Sequence, residues 1–133
     1  MTIKIKPKSF GPVFVSIDEG RTVRYGTAAD SVSQLSPPAA TPAECLLFSL
    51  GSCVAISLHM AAEQKKTPLR PFQIGISSRK AEDLPNRFGY FEVVVSGNIT
   101  NDAKLSEELL KKAKSICTVS NTLNAEIMLR LSD

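Results

Sequence analysis

From Cys45 to Ala62 the chain runs eighteen residues without a formal charge, CLLFSLGSCVAISLHMAA. As a helix this stretch spans roughly 27 Å, so it forms either the axis of a hydrophobic core or a membrane span. Gly51, His59 and three serines lower its hydrophobicity, no second such stretch follows, and both flanks read as a folded domain. The expectation is therefore a central helix buried on all sides and no membrane partner. A plain core helix would carry Ala or Leu at its centre, because Gly costs about 1 kcal/mol there relative to Ala. Gly51, two residues before Cys53, marks either close packing or chemistry.

The helix has a clear start. Thr41 and Glu44 are spaced as a T-x-x-E capping box, and Pro42 stands at the first helical position. The pattern predicts a helix from Thr41 to about Lys65, ending before Thr67-Pro68.

Before it, Ile3 and Ile5 alternate with lysines, and Val13, Val15 and Ile17 share one strand face. DEGR (Asp18 to Arg21) turns that strand into TVRYG, giving a hairpin, and the Ser-, Ala- and Pro-rich stretch up to Thr41 is a loop. After the helix, FQIGISSRK and YFEVVVSGNIT alternate as two strands. Leu105, Leu109, Ala113 and Ile116 mark a second helix capped by Asn101 or Asp102. CTVSN is read as a connection, and Ile127, Leu129 and Leu131 as a final strand. The order β-β-β-α-β-β-α-β predicts an α+β domain, residues 1–133, with an antiparallel or mixed sheet.

Sixteen basic and thirteen acidic residues leave a formal charge of +3, without a basic cluster beyond two Lys-Lys pairs. That field is too weak to argue for a nucleic-acid partner. MTIKIKPKSF has no continuous apolar region and does not read as a signal peptide. Cys45, Cys53 and Cys117 form an odd set without a C-x-x-C pair, which argues against a disulfide framework and places the chain in the reducing cytoplasm. A single His and scattered Cys give no metal-ligand spacing, so neither metal nor cofactor is expected.

Ser49, Cys53 and Ser57 lie four apart on one helix face, with Gly51 and Ala55 as a second small pair. One reading is a tight helix crossing over an inert buried thiol; the other is a reactive thiol. Reactivity needs a cation or base, and the same-face neighbours Ser49, Leu50, Ile56 and Ser57 supply neither. It would have to come from elsewhere in the fold or from another subunit. Cys117 ends the second helix, where the dipole raises a thiol pKa, so of the two Cys53 is the better attacker. Cys45 lies roughly 12 Å from Cys53 along the axis, beyond disulfide reach, and is read as core.

TPAECLLFSLGSCVAISL, followed by CTVSNTL with its Cys 64 residues after Cys53, resembles the OsmC/Ohr family of osmotically induced and organic hydroperoxide resistance proteins. The resemblance implies the OsmC-like fold: two chains intertwined as a homodimer, with the Cys-bearing helices at its centre. It implies a thiol peroxidase acting on organic hydroperoxides, with Cys53 as the peroxidatic and Cys117 as the resolving cysteine, and an external thiol or dithiol as reductant. A non-enzymatic member that binds a small apolar ligand at the dimer interface, or senses oxidation there, is the alternative. Three departures stand out. Ala43 occupies the family's Glu position, with Glu44 next to it; Thr118 replaces the usual Pro after the second Cys; and no G-R motif supplies a thiolate-stabilising arginine, for which Arg21 and Arg24 are the candidates. Glu44 is either catalytic support or only a helix cap, and the residues leave both open.

Overall fold

The computed structural model describes residues 8–132, so the strand expected around Ile3 and Ile5 lies outside the described residues. The elements are β1 (Ser9–Ile17), β2 (Val23–Gly26), α1 (Pro42–Gln64), β3 (Phe72–Lys80), β4 (Phe88–Ser96), α2 (Ala103–Ile116), α3 (Thr118–Thr122) and β5 (Glu126–Leu131). The strands form one mixed sheet ordered β2-β1-β3-β4-β5. Its first three pairings are antiparallel, and β4 pairs with β5 in parallel. That last pairing follows from the connection, because a parallel neighbour needs a crossover and α2 with α3 provides it.

Alternation in the sequence becomes the two faces of the sheet. Val13, Val15 and Ile17 of β1, Phe72, Ile74 and Ile76 of β3, and Phe91, Val93 and Val95 of β4 are all buried. α1 lies over this face with Leu47, Phe48, Leu50, Val54, Ala55 and Leu58 buried, and α2 adds Leu109, Leu110 and Ala113. Each fully buried aliphatic side chain contributes about 1.5–3 kcal/mol. One cluster of this size outweighs every individual surface contact in the chain.

The helix ends are built as their sequences predict. Thr41 Oγ1 accepts from the Glu44 amide at 3.2 Å, and the Glu44 carboxylate accepts from the Ala40 amide at 3.0 Å. At the other end Lys66 adopts φ of 52°, and Thr67 N–H returns to the Ala62 carbonyl at 2.9 Å. Asp102, one of the two expected caps, accepts from Lys104 and Leu105 at the start of α2.

Three expectations are corrected. α1 is not buried on all sides: Cys45, Ser49, Ile56, Met60 and Glu63 form an exposed stripe along it. Cys45 is therefore not a core residue, since it sits on that stripe. An uncharged sequence fixes how apolar a helix is but not how many neighbours surround it. In addition, Thr118–Thr122, expected as a connection, forms the short helix α3. Its β-branched residues carry little helix propensity and its start lacks a side-chain cap, so only packing against α1 and α2 reveals it.

Candidate active site

Cys53 sits half-buried in the middle of α1, where the exposed stripe meets the contact with α3. Cys117 is fully buried and ends α2 while capping α3, so one residue closes one helix and opens the next. Cys53, Ser57 and Ser120 are near enough to Cys117 to act on its thiol, which sets Cys117 beside the part of α1 that carries Cys53. Two thiols 64 residues apart thus lie near each other, and all three cysteines of the chain are free.

The electrostatics of the pair are unequal. Burial pushes the Cys117 thiol up to about 11, and proximity to Cys53 adds to the rise. The Ser120 N–H and the Ser57 hydroxyl pull the other way. The rise expected from the α2 dipole comes chiefly from loss of solvent instead. Cys117 therefore holds its proton into alkaline pH and is shut off from solvent, whereas Cys53 is half-buried.

Neither arginine considered from the sequence stands at Cys53. Arg21 binds Glu63 at 2.8 Å and acts on His59, six residues further along α1. That distance along the axis is roughly 9 Å. Arg24 is paired in register with Ser16, while its neighbour Tyr25 meets Phe48 of α1 at 5.7 Å between ring centroids. Alternation then puts Arg24 on the sheet face away from α1. Glu44 is engaged in the helix cap, as described above.

Sequence reasoning did not single out His59. It is 7% exposed, stacks on Phe72 at 5.9 Å, and has a buried Nε2 without a hydrogen-bond partner. Burial, with Arg21 close by, lowers its pKa from the usual 6.5. A cavity of about 830 Å³ beside it is lined by Arg21, Glu63, Lys66, Arg70 and Asp102, at the end of α1 remote from Cys45. Among the described residues, no group of three or more His, Cys, Asp or Glu side chains is arranged to hold a metal ion.

The family model described as OsmC-like protein matches residues 35–132, which include both motif cysteines. The chain belongs to the OsmC-like protein family. Its fold agrees with solved structures across nearly the whole length. The organic hydroperoxide resistance protein OhrB of Bacillus subtilis superposes with a TM-score of 0.60 at 14% identity, covering 96% of this chain and 98% of that one. An OsmC-like protein from Mycoplasma pneumoniae gives 0.63 at 11% identity, with 98% of each chain covered. The organic hydroperoxide resistance protein OsmC from Legionella pneumophila gives 0.59 at 12% identity, covering 99% of this chain and 100% of that one. No curated protein matches the sequence. At these identities the likeness establishes the OsmC-like α+β fold.

Proposed function

We propose that this OsmC-like protein is a thiol-dependent peroxidase that reduces organic hydroperoxides through Cys53 and Cys117. The observation that carries the reading is the proximity of a half-buried Cys53 to a fully buried Cys117 whose thiol is pushed up by burial. An inert core thiol needs no second thiol at its side. The likeness to OhrB and to the Legionella OsmC, both organic hydroperoxide resistance proteins, supports the same substrate class.

The chemistry runs in three steps. The Cys53 thiolate attacks the outer peroxide oxygen; the O–O bond breaks, an alcohol leaves once its oxygen takes a proton, and Cys53 becomes a sulfenic acid. Cys117 sulfur then attacks the Cys53 sulfur, the S–O bond breaks, and the thiol proton leaves with the hydroxide as water. The resulting disulfide is reduced by an external dithiol through thiol exchange, as befits a cytoplasmic protein.

The exposed stripe of α1 supports a second copy of the chain as partner. Ile56 and Met60, each 46% exposed, stand on it beside Cys53. A homodimer joined along α1 buries these side chains and leaves room for the partner to supply the cation that Arg21 and Arg24 do not.

The test is hydroperoxide consumption by the reduced protein with cumene hydroperoxide or tert-butyl hydroperoxide and excess dithiol. Turnover is expected, with loss in Cys53→Ser; full turnover by Cys53→Ser sinks the proposal. A second reading, oxidation sensing or apolar-ligand binding without turnover, is favoured by the placement of both arginines away from Cys53. In that case the protein forms the disulfide once and is not recycled at an enzymatic rate.

A further inference from the structure

The far end of α1 carries a buried polar group that the thiol chemistry does not use. His59 is 7% exposed, and its Nε2 has no hydrogen-bond partner. The ring stacks on Phe72, which offers no acceptor atom. A buried nitrogen left unpaired weakens a fold, so such atoms ordinarily find a partner. The same ring lines the cavity of about 830 Å³, a size that suits a small organic molecule. An acceptor entering this cavity gives the imidazole a partner that the fold itself does not supply.

The cavity lies among the end of α1, the β1–β2 turn and the connections that precede β3 and α2. Ala62, Leu69 and Ile99 are buried and give it an apolar floor. The charges around that floor are committed unequally. Arg21 and Glu63 cancel each other at 2.8 Å. Asp102 accepts from the Lys104 and Leu105 amides, so its charge is spent on the start of α2. Lys66 and Arg70 form no ion pair among the described residues, although neighbouring Lys65 pairs with Glu108 at 3.0 Å. The Arg70 guanidinium donates to the neutral side chain of Asn101. Against these two cations stands one uncommitted carboxylate, Glu19, on the exposed β1–β2 turn.

We propose that this cavity binds a small organic carboxylate, its apolar body on Ala62, Leu69 and Ile99 and its charge held by Lys66 and Arg70, with His59 as a neutral donor. Exposed cations alone would attract any anion; the apolar floor restricts the site to anions that carry a hydrocarbon body. His59 stays neutral near pH 7, because burial and Arg21 lower its pKa, and a neutral imidazole keeps one N–H to donate. His59 is roughly 9 Å along α1 from Cys53 and turned about 120° round the helix axis. The site is therefore distinct from the thiols and goes beyond the peroxidase reading without resting on it.

Titration of the reduced protein with phenylacetate tests this, with acetate and the uncharged phenylacetamide as controls. Affinity is read by calorimetry, and the place of binding by the imidazole signal of the chain's single histidine in nitrogen–proton NMR correlation. Phenylacetate is expected to saturate the protein and to move the His59 signal. Phenylacetamide should bind about tenfold more weakly, the loss of one charge-assisted contact, and acetate more weakly still for want of an apolar body. Lys66→Met and Arg70→Met keep the side-chain stem and remove the charge, and each should weaken phenylacetate about threefold, as befits exposed cations. Cys53→Ser should bind phenylacetate like the wild type.

Equal affinity for phenylacetate and phenylacetamide overturns the proposal, as does the absence of saturable binding. Phenylacetate binding that leaves the His59 signal still, or that is lost in Cys53→Ser, places the ligand elsewhere and overturns it too. No peroxide enters these measurements, so their failure leaves the peroxidase reading standing, and failure of hydroperoxide turnover leaves this site standing.

Discussion

Gly51 of α1 lies directly against the side chain of Ile76 on β3. A Cβ at position 51 would overlap Ile76 Cδ1 and come within 2.9 Å of Ile76 Cγ1 and 3.0 Å of Val15 Cγ2. Glycine stands in the middle of an apolar helix because the helix axis rests on the sheet there. The propensity cost of about 1 kcal/mol is offset by the close approach.

Gly51→Ala accordingly destabilises the protein despite the better helix former. Ile76 and Val15 are fully buried and have little room to yield. The expected loss is about 1–3 kcal/mol, read as a lower urea midpoint at unchanged slope. A more stable Gly51→Ala protein contradicts this packing.

Alkaline pH weakens the fold through Cys117. Its thiol titrates at about 11 in the folded chain, against 9.0 for an ordinary cysteine. Between these values the unfolded chain has released the proton that the folded chain still holds. Stability is therefore complete below about pH 9 and falls as pH rises towards 11, by on the order of 2–3 kcal/mol. Subtracting the stability curve of Cys117→Ala from that of the wild type isolates this contribution; a flat difference refutes it.

Acid acts on His59 with the opposite slope. Its pKa is depressed by burial and by Arg21, so the folded chain keeps it neutral while the unfolded chain takes up a proton near pH 6.5. Stability is full above that pH and declines as the solution is acidified through and below it. His59→Leu should flatten urea midpoints across this range. An unchanged acid slope in the variant would exclude His59 as its source.

The two roles considered for Glu44 separate by substitution. Gln fulfils the capping box as well as Glu does, so Glu44→Gln is expected to retain both stability and hydroperoxide turnover. Thr41→Ala removes the cap acceptor and costs about 1 kcal/mol. Loss of turnover in a stable Glu44→Gln protein would assign the carboxylate to catalysis.

Arg21 is held at Glu63, two to three helical turns beyond Cys53. Arg21→Ala is therefore expected to leave the alkylation rate of Cys53 unchanged at neutral pH. A drop of tenfold or more would place its guanidinium at the thiol in solution.

Much of the fold is legible in the residues themselves. The alternation of Val13, Val15 and Ile17, the capping box at Thr41 and Glu44, and the apolar spacing from Leu105 to Ala113 each fix a local structure. Backbone geometry and side-chain periodicity act over neighbouring residues, and those are contiguous in the chain. The motif cysteines were legible too, although only as two marked positions.

What the tertiary structure alone decided is which groups meet across distance. It brought Cys117 near Cys53, set Gly51 on Ile76, drew Arg21 away to Glu63, and left Cys45 on an open stripe of a helix that reads as wholly buried. Such contacts depend on how α1 sits over the sheet and how α3 returns against it. The pKa of a thiol likewise follows from the solvent and charges around it, which no local pattern along the chain encodes.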